Sequence, residues 1–122
     1  MDTNEAREAL AGERSSTAAR LASLRAEFDA IVSGAIDANL DDEHDPEGST
    51  IAFERAQLAA LMAEAEGYLV ELEAARARVD DGTYAVCEGC GEVINDDRLR
   101  ARPATRTCVL CPAGQNRRSA AG

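Results

Sequence analysis

Two stripes of apolar residues, each repeating every seven positions, run through most of the first eighty residues. Leu10, Thr17, Leu24 and Ile31 form one series, and Leu21, Phe28 and Ala35 form its companion three or four positions away. That period predicts a helix carrying the seam of a coiled coil. Arg14 falls on the same stripe, and Gly34 lowers helix propensity near the far end. Asp2 or Thr3 is placed to cap this helix, with Glu5 and Glu8 favourable in its first turn. A second stripe comprises Ile51, Leu58, Ala65, Leu72 and Val79, with Leu61, Met62, Tyr68, Leu69 and Ala75 between them. It predicts a second helix over about 50–80, with Gly67 as a mild weak point. At a rise of 1.5 Å per residue, each arm of ~30 residues is about 45 Å long. The short connection makes the arms antiparallel neighbours in one chain. Leu24, Phe28, Leu58, Leu61 and Leu72 are the expected buried positions.

Between 37 and 48 the apolar pattern stops. This stretch holds six acids, Asp37, Asp41, Asp42, Glu43, Asp45 and Glu47, and no Arg. Pro46 and Gly48 mark it as a turn, and Ser49 or Thr50 is suited to cap the helix that follows. On composition alone it reads as a solvated acidic loop. His44 is the only histidine, with no second His or Cys near it, and reads as a solvated loop residue. Gly82, after Asp81, is suited to end the second helix in a left-handed cap. Thr83 to Val86 reads as a short extended run. Asn95-Asp96-Asp97 reads as a turn, and Arg98 to Pro103 as the return from it. The organisation expected is a helical hairpin over 1–81 with its tip at 37–49, a small module over 82–111, and a short tail over 112–122.

Composition narrows the class. Aromatic residues make up 3 % of the 122, with no Trp, so the apolar residues are mainly Ala, Leu, Val and Ile. Such a chain suits close helix–helix packing, and its small module needs a staple. The staple is legible in Cys87-Glu88-Gly89-Cys90 and Cys108-Val109-Leu110-Cys111, which contain all four cysteines. Two residues between ligands let one tight turn aim both sulfurs at one ion, and two such turns complete a tetrahedron. Gly89 and Gly91 fit the backbone freedom these turns require. With four protein ligands there is no open position for water, so the zinc is structural. A disulfide pair would require an oxidising compartment. A redox Cys-x-x-Cys belongs at a helix start beside a βαβ pattern, which the sequence lacks.

The formal net charge is −10. Four thiolates add −4 and one Zn²⁺ returns +2, which takes it to −12. A chain of this charge repels DNA and anionic membranes and favours a basic protein surface. All thirteen cationic side chains are Arg. Arg98, Arg100, Arg102, Arg106, Arg117 and Arg118 gather toward the zinc end. No signal-peptide pattern opens the chain, and no run approaches the ~20 apolar residues of a membrane span. A cytoplasmic location is the expectation.

Gly82-Thr83-Tyr84-Ala85-Val86-Cys87-Glu88-Gly89-Cys90-Gly91 resembles the entry to the zinc finger of the DksA/TraR family of bacterial transcription factors. Ile94, Arg98, Leu99, Ala101, Arg102 and Pro103 fall where that family carries Ile, Arg-Leu and Ala-Arg-Pro, and Cys108 and Cys111 close the motif. The resemblance implies a mainly α fold: a long antiparallel two-helix coiled-coil hairpin followed by a four-cysteine zinc finger. It implies that the hairpin enters the secondary channel of RNA polymerase, with its acidic tip approaching the catalytic Mg²⁺. Asp45, with Asp41, Asp42, Glu43 and Glu47 around it, would be the working end. Arg98 and Arg102 would contact the partner. The resemblance further implies no promoter DNA binding of the chain's own, and action that often involves guanosine tetraphosphate. Asp45 matches the first Asp of the family's Asp-x-x-Asp-x-Ala tip, whereas Gly48 and Thr50 stand at the second Asp and the Ala. The segment after Cys111 is shorter than the C-terminal helix of longer members.

Three other readings compete. A zinc-stapled adaptor would pair an exposed apolar helix face with another protein. A nucleic-acid-binding finger would use the Arg cluster and lose affinity steeply with salt. A thiol redox protein would be metal-free with a reactive thiol of low pKa. No catalytic constellation is present in the sequence, and a non-enzymatic protein is expected.

Overall fold

The computed structural model describes residues 1–41 and 48–111, and the side chains of all of these except 35–41. Three helices occur among the described residues: α1 (Thr3–Asp41), α2 (Gly48–Asp81) and α3 (Asp96–Ala101). The only β pairing there is a single antiparallel bridge between Val86 and Val93. The fold is mainly α, with two long helices packed as antiparallel partners. None of the helices is long and apolar enough to cross a membrane.

Two compact units divide the chain, one comprising 1–15 with 69–122 and the other 16–68. In the first unit, the opening turns of α1 lie beside the closing turns of α2. Asp2 caps α1: its Oδ1 accepts from the Glu5 N–H at 2.7 Å. Arg7 then pairs with Asp80 at 3.0 Å. Ala6, Leu10, Leu72, Ala75 and Val79 are buried here, with Tyr84, Ile94 and Leu99 from the segment that follows. Gly82, at φ 82, ends α2. The Thr83 N–H reaches Arg78 O at 3.0 Å and the Gly82 N–H reaches Val79 O at 3.4 Å. This is the two-bond termination that a left-handed glycine permits.

The second unit contains the rest of both helices. Thr17, Leu21, Leu24 and Ala65 are buried in it, and Arg25 pairs with Glu66 at 3.0 Å. The seam read from the period is present: Leu10, Thr17, Leu24, Leu72 and Val79 all lie on it and are buried. Phe28, Leu58 and Leu61 are only half-buried. A helix with a single neighbour covers its seam on one side, so in this unit the stripe gives the direction of packing but less depth than expected. Arg14 is exposed. The backbone of α1 stays helical through Asp41, past the point where its apolar stripe ends. Ala35, on the companion series, lies among the undescribed side chains.

Two local expectations are corrected. Thr83 to Val86 is a turn closed by the Val86 N–H on Thr83 O at 3.1 Å, not an extended run. Asn95-Asp96-Asp97 does not make a simple turn but opens α3. Asn95 is its N-cap, and its side-chain oxygen accepts from the Asp97 N–H at 2.8 Å. Asp96 and Asp97 then sit in the first turn, where the helix dipole favours acids, and Leu99 is the buried residue of the helix.

Candidate metal centre

The two Cys-x-x-Cys turns are brought together by a short backbone ladder. The Cys87 N–H donates to Glu92 O at 2.8 Å, and the Ile94 N–H to Ala85 O at 2.7 Å, so the chain folds back on itself around the first pair. Within it the Gly91 N–H closes on Cys87 O at 2.9 Å, with Gly91 at φ 81. Gly89 has no positive φ, so of the two glycines only Gly91 is required by the backbone. The second pair closes in the same way, through the Cys111 N–H on Cys108 O at 3.1 Å. The turns are then joined by the Glu88 N–H on Arg106 O at 2.9 Å and the Cys108 N–H on Cys87 Sγ at 3.2 Å.

The sulfurs of Cys87, Cys90, Cys108 and Cys111 all lie within 4.8 Å of one another. None forms a disulfide. A tetrahedral ion with Zn–S bonds of about 2.3 Å holds its sulfurs about 3.8 Å apart. Cys90 Sγ and Cys108 Sγ are 3.8 Å apart. Cys87 and Cys111 are buried, Cys90 and Cys108 half-buried. The donor set, spacing and burial fit one structural Zn²⁺.

Protonation explains why the cluster suits a dication. Burial opposes ionisation of Cys87, but backbone N–H groups of Cys108, Cys90 and Gly89 aimed at its sulfur bring its pKa down to about 6. At Cys90 the Glu92 N–H favours the thiolate, yet burial and the neighbouring Cys87 and Cys108 sulfurs win and push it up. One sulfur ionises readily and discourages the next. A bound Zn²⁺ removes that conflict and lets all four become thiolates.

Three arginines and a tyrosine support the turns. Arg98 Nε donates to Thr107 O at 2.8 Å, next to Cys108. Arg106 joins Glu71 of α2 at 3.0 Å to Glu88 of the first turn at 3.1 Å. These pairs are partly exposed and each contributes about 0–1 kcal/mol. Tyr84 donates its hydroxyl to Pro103 O at 2.6 Å within the core, and burial raises its pKa. Arg78, in the last turn of α2, is only 8 % exposed. Its Nη2 lies 3.4 Å from both Ala104 O and Thr105 O, while Nη1 is buried with no hydrogen-bond partner among the described residues. Burial, then Arg106, lowers its pKa against the pull of Glu88 and Glu71. An unmade buried donor costs about 1–3 kcal/mol.

Residues 82–117 match the prokaryotic DksA/TraR C4-type zinc finger. The match spans the finger and not the helices before it. Beyond it, the fold resembles transcription factor DksA2 of Pseudomonas aeruginosa, with a TM-score of 0.52, 19 % identity, and coverage of 84 % of this chain and 79 % of that one. In sequence, a segment of 51 residues is 43 % identical to an uncharacterized protein of Aquifex aeolicus (strain VF5). That segment is 42 % of this chain and about one third, 35 %, of the length of the Aquifex protein.

The remaining residues singled out in the sequence are distributed unevenly around this finger. Arg98 is half-buried and engaged; Arg102 is exposed and makes no ion pair among the described residues. Both line an open groove of ≈ 690 Å³ beside Cys90, Val93, Val109 and Leu110. Val93 is 77 % exposed and Val109 73 %. Asp41 ends α1, with its side chain outside the description. Asp42, Glu43, Asp45 and Glu47 lie outside the described residues, as does the tail over 112–122. The sequence reading missed Arg78 and Tyr84 as supports of the finger, although Tyr84 sat within the motif it quoted.

Proposed function

We propose that this chain is a bacterial transcription regulator that binds RNA polymerase and presents the acidic segment 41–47 inside the secondary channel. The DksA/TraR-type finger carries this reading, and the likeness of fold to DksA2 supports it. Asp45 is the carboxylate assigned the main effect, with Asp41, Asp42, Glu43 and Glu47 supplying the attractive field. A cluster of acids on a chain of net charge −10 is drawn into a basic, cation-containing cavity. Two-metal phosphoryl chemistry depends on where its ions sit, so a carboxylate beside them perturbs it. At the finger, the groove bearing Val93, Val109 and Arg102 is the proposed second contact with polymerase. The chain acts in this reading as a monomer in the cytoplasm, without catalysis or promoter contacts of its own.

Transcript yield and polymerase affinity, measured together for wild type, Asp45→Ala and Gly48→Asp, test the proposal. Asp45→Ala is expected to change yield more than affinity, and Gly48→Asp to strengthen the effect by restoring the second acid. Wild-type behaviour of Asp45→Ala in both measurements would remove the tip as the working end.

One observation favours the adaptor reading. Phe53 on α2 is 68 % exposed, an aromatic ring on a helix face open to a partner. Failure of the wild-type chain to capture core polymerase in a pull-down would favour the adaptor reading, with Phe53 as its expected contact.

A further inference from the structure

Arg78 occupies a place that an apolar side chain of similar length would fill without leaving a buried donor unmade. Its hydrogen bonds from Nη2 go to one segment only, the carbonyls of Ala104 and Thr105. That segment delivers the second pair of sulfurs. The Thr105 hydroxyl donates to Thr107 O at 3.0 Å, and the Thr107 N–H lies 3.4 Å from the same hydroxyl oxygen. The next residue is Cys108, whose N–H points at Cys87 Sγ. Arg106, between them, presents its carbonyl to the Glu88 N–H of the first turn. Hydrogen bonds therefore tie the end of α2 to the 104–107 segment that leads directly into Cys108, and that segment to the first turn through Arg106 O.

We propose that Arg78 is a positioning residue of the zinc site, holding the 104–107 turn against α2 in the folded finger so that Cys108 is kept in place on the ion. The guanidinium fits this task because Nη2 carries two N–H groups and both carbonyls lie within its reach. Groups that orient metal ligands from behind typically contribute 10–100-fold to metal affinity. Coupling of this kind is reciprocal: if Arg78 strengthens zinc binding, bound zinc steadies the 104–107 turn against α2 by the same factor. The proposal stands apart from any role in transcription, since it concerns only the finger and its metal.

The test uses the full zinc-loaded chain challenged with a chromogenic chelator, comparing wild type, Arg78→Met, Arg78→Lys and Arg76→Met. Arg76 is exposed on the same helix and serves as the control. Arg78→Met is expected to weaken zinc binding about 10–100-fold, Arg78→Lys to recover part of the loss, and Arg76→Met to stay within about twofold of wild type. Hydrogen exchange on the loaded proteins supplies the second readout. In Arg78→Met the amides of 104–108 should lose protection while those of 70–77 keep it. Wild-type zinc affinity in Arg78→Met overturns the proposal, because Arg78 would then only fill space. Loss of protection throughout α2 overturns it too, because the effect would be general unfolding. If Arg78→Met does not fold, the rate of zinc release from Arg78→Lys decides: faster than wild type supports the role, and equal to wild type refutes it.

Discussion

Truncating Leu72 and Leu61 separately measures how depth of burial varies along α2. Leu72 lies on the seven-residue series and Leu61 among its companion residues, but Leu72 is 2 % exposed and Leu61 only half-buried. Leu→Ala removes three carbons, and at about 0.8 kcal/mol for each fully buried group the transfer loss at Leu72 is about 2.4 kcal/mol. A residual cavity of ~50 Å³ adds about 1 kcal/mol at roughly 24 cal/mol per Å³. The expected cost of Leu72→Ala is therefore about 3.5 kcal/mol. At Leu61 roughly half the transfer term is already forgone, and a gap open to solvent carries little cavity penalty. About 1 kcal/mol is expected there. Urea unfolding of the zinc-loaded chain, followed by helical circular dichroism at fixed metal concentration, reads both values. Equal costs for the two substitutions would refute the reasoning. They would mean that something else covers Leu61 in solution, and a dependence of its unfolding midpoint on protein concentration would identify that cover as a second copy.

Two further outcomes follow from the finger. Removing zinc with a chelator, or Cys90→Ser, should unfold residues from about 83 onward while most of the helical signal persists; elemental analysis should give one zinc per chain, and a folded metal-free protein with two disulfides would contradict this. Tyr84→Phe deletes the hydroxyl that satisfies Pro103 O in the core, and should cost about 1–3 kcal/mol in the same urea assay while leaving zinc content unchanged.

The parts of this protein that were legible in the sequence are those whose physics is local or periodic. Ligand spacing in Cys87–Cys90 and Cys108–Cys111 is a property of two tight turns, so it is visible without knowing how those turns meet. A heptad states which face of a helix is covered, and Leu10, Thr17, Leu24, Leu72 and Val79 are covered accordingly. It does not state how deeply, because depth depends on what else packs nearby, and Phe28, Leu58 and Leu61 are shallower for that reason. α3 escaped because six residues are fewer than two turns, too few for a period to show. Its signal was the cap instead, Asn95 followed by two acids and a buried Leu99, a pattern equally good for a turn until the Asn95 side chain is seen on the Asp97 N–H.

The arginines show where charge pattern stops being informative. In sequence, Arg98, Arg100, Arg102, Arg106, Arg117 and Arg118 form one basic cluster, of which Arg117 and Arg118 lie outside the described residues. In the fold, Arg98 holds the Thr107 carbonyl, Arg100 pairs with Glu5 at 2.8 Å, and Arg106 bridges Glu71 and Glu88. Arg102 alone of the other four is left exposed and without an ion pair among the described residues. Of the four members among the described residues, one open cation remains, beside an apolar groove. Arg78 makes the converse point. On the helix it is one more charged residue beside Val79, and its burial arises from carbonyls 26 and 27 positions later in the chain. Long-range closure of that kind has no local signature, which is why the residue proposed to tie α2 to the zinc site was the one the sequence left unmarked.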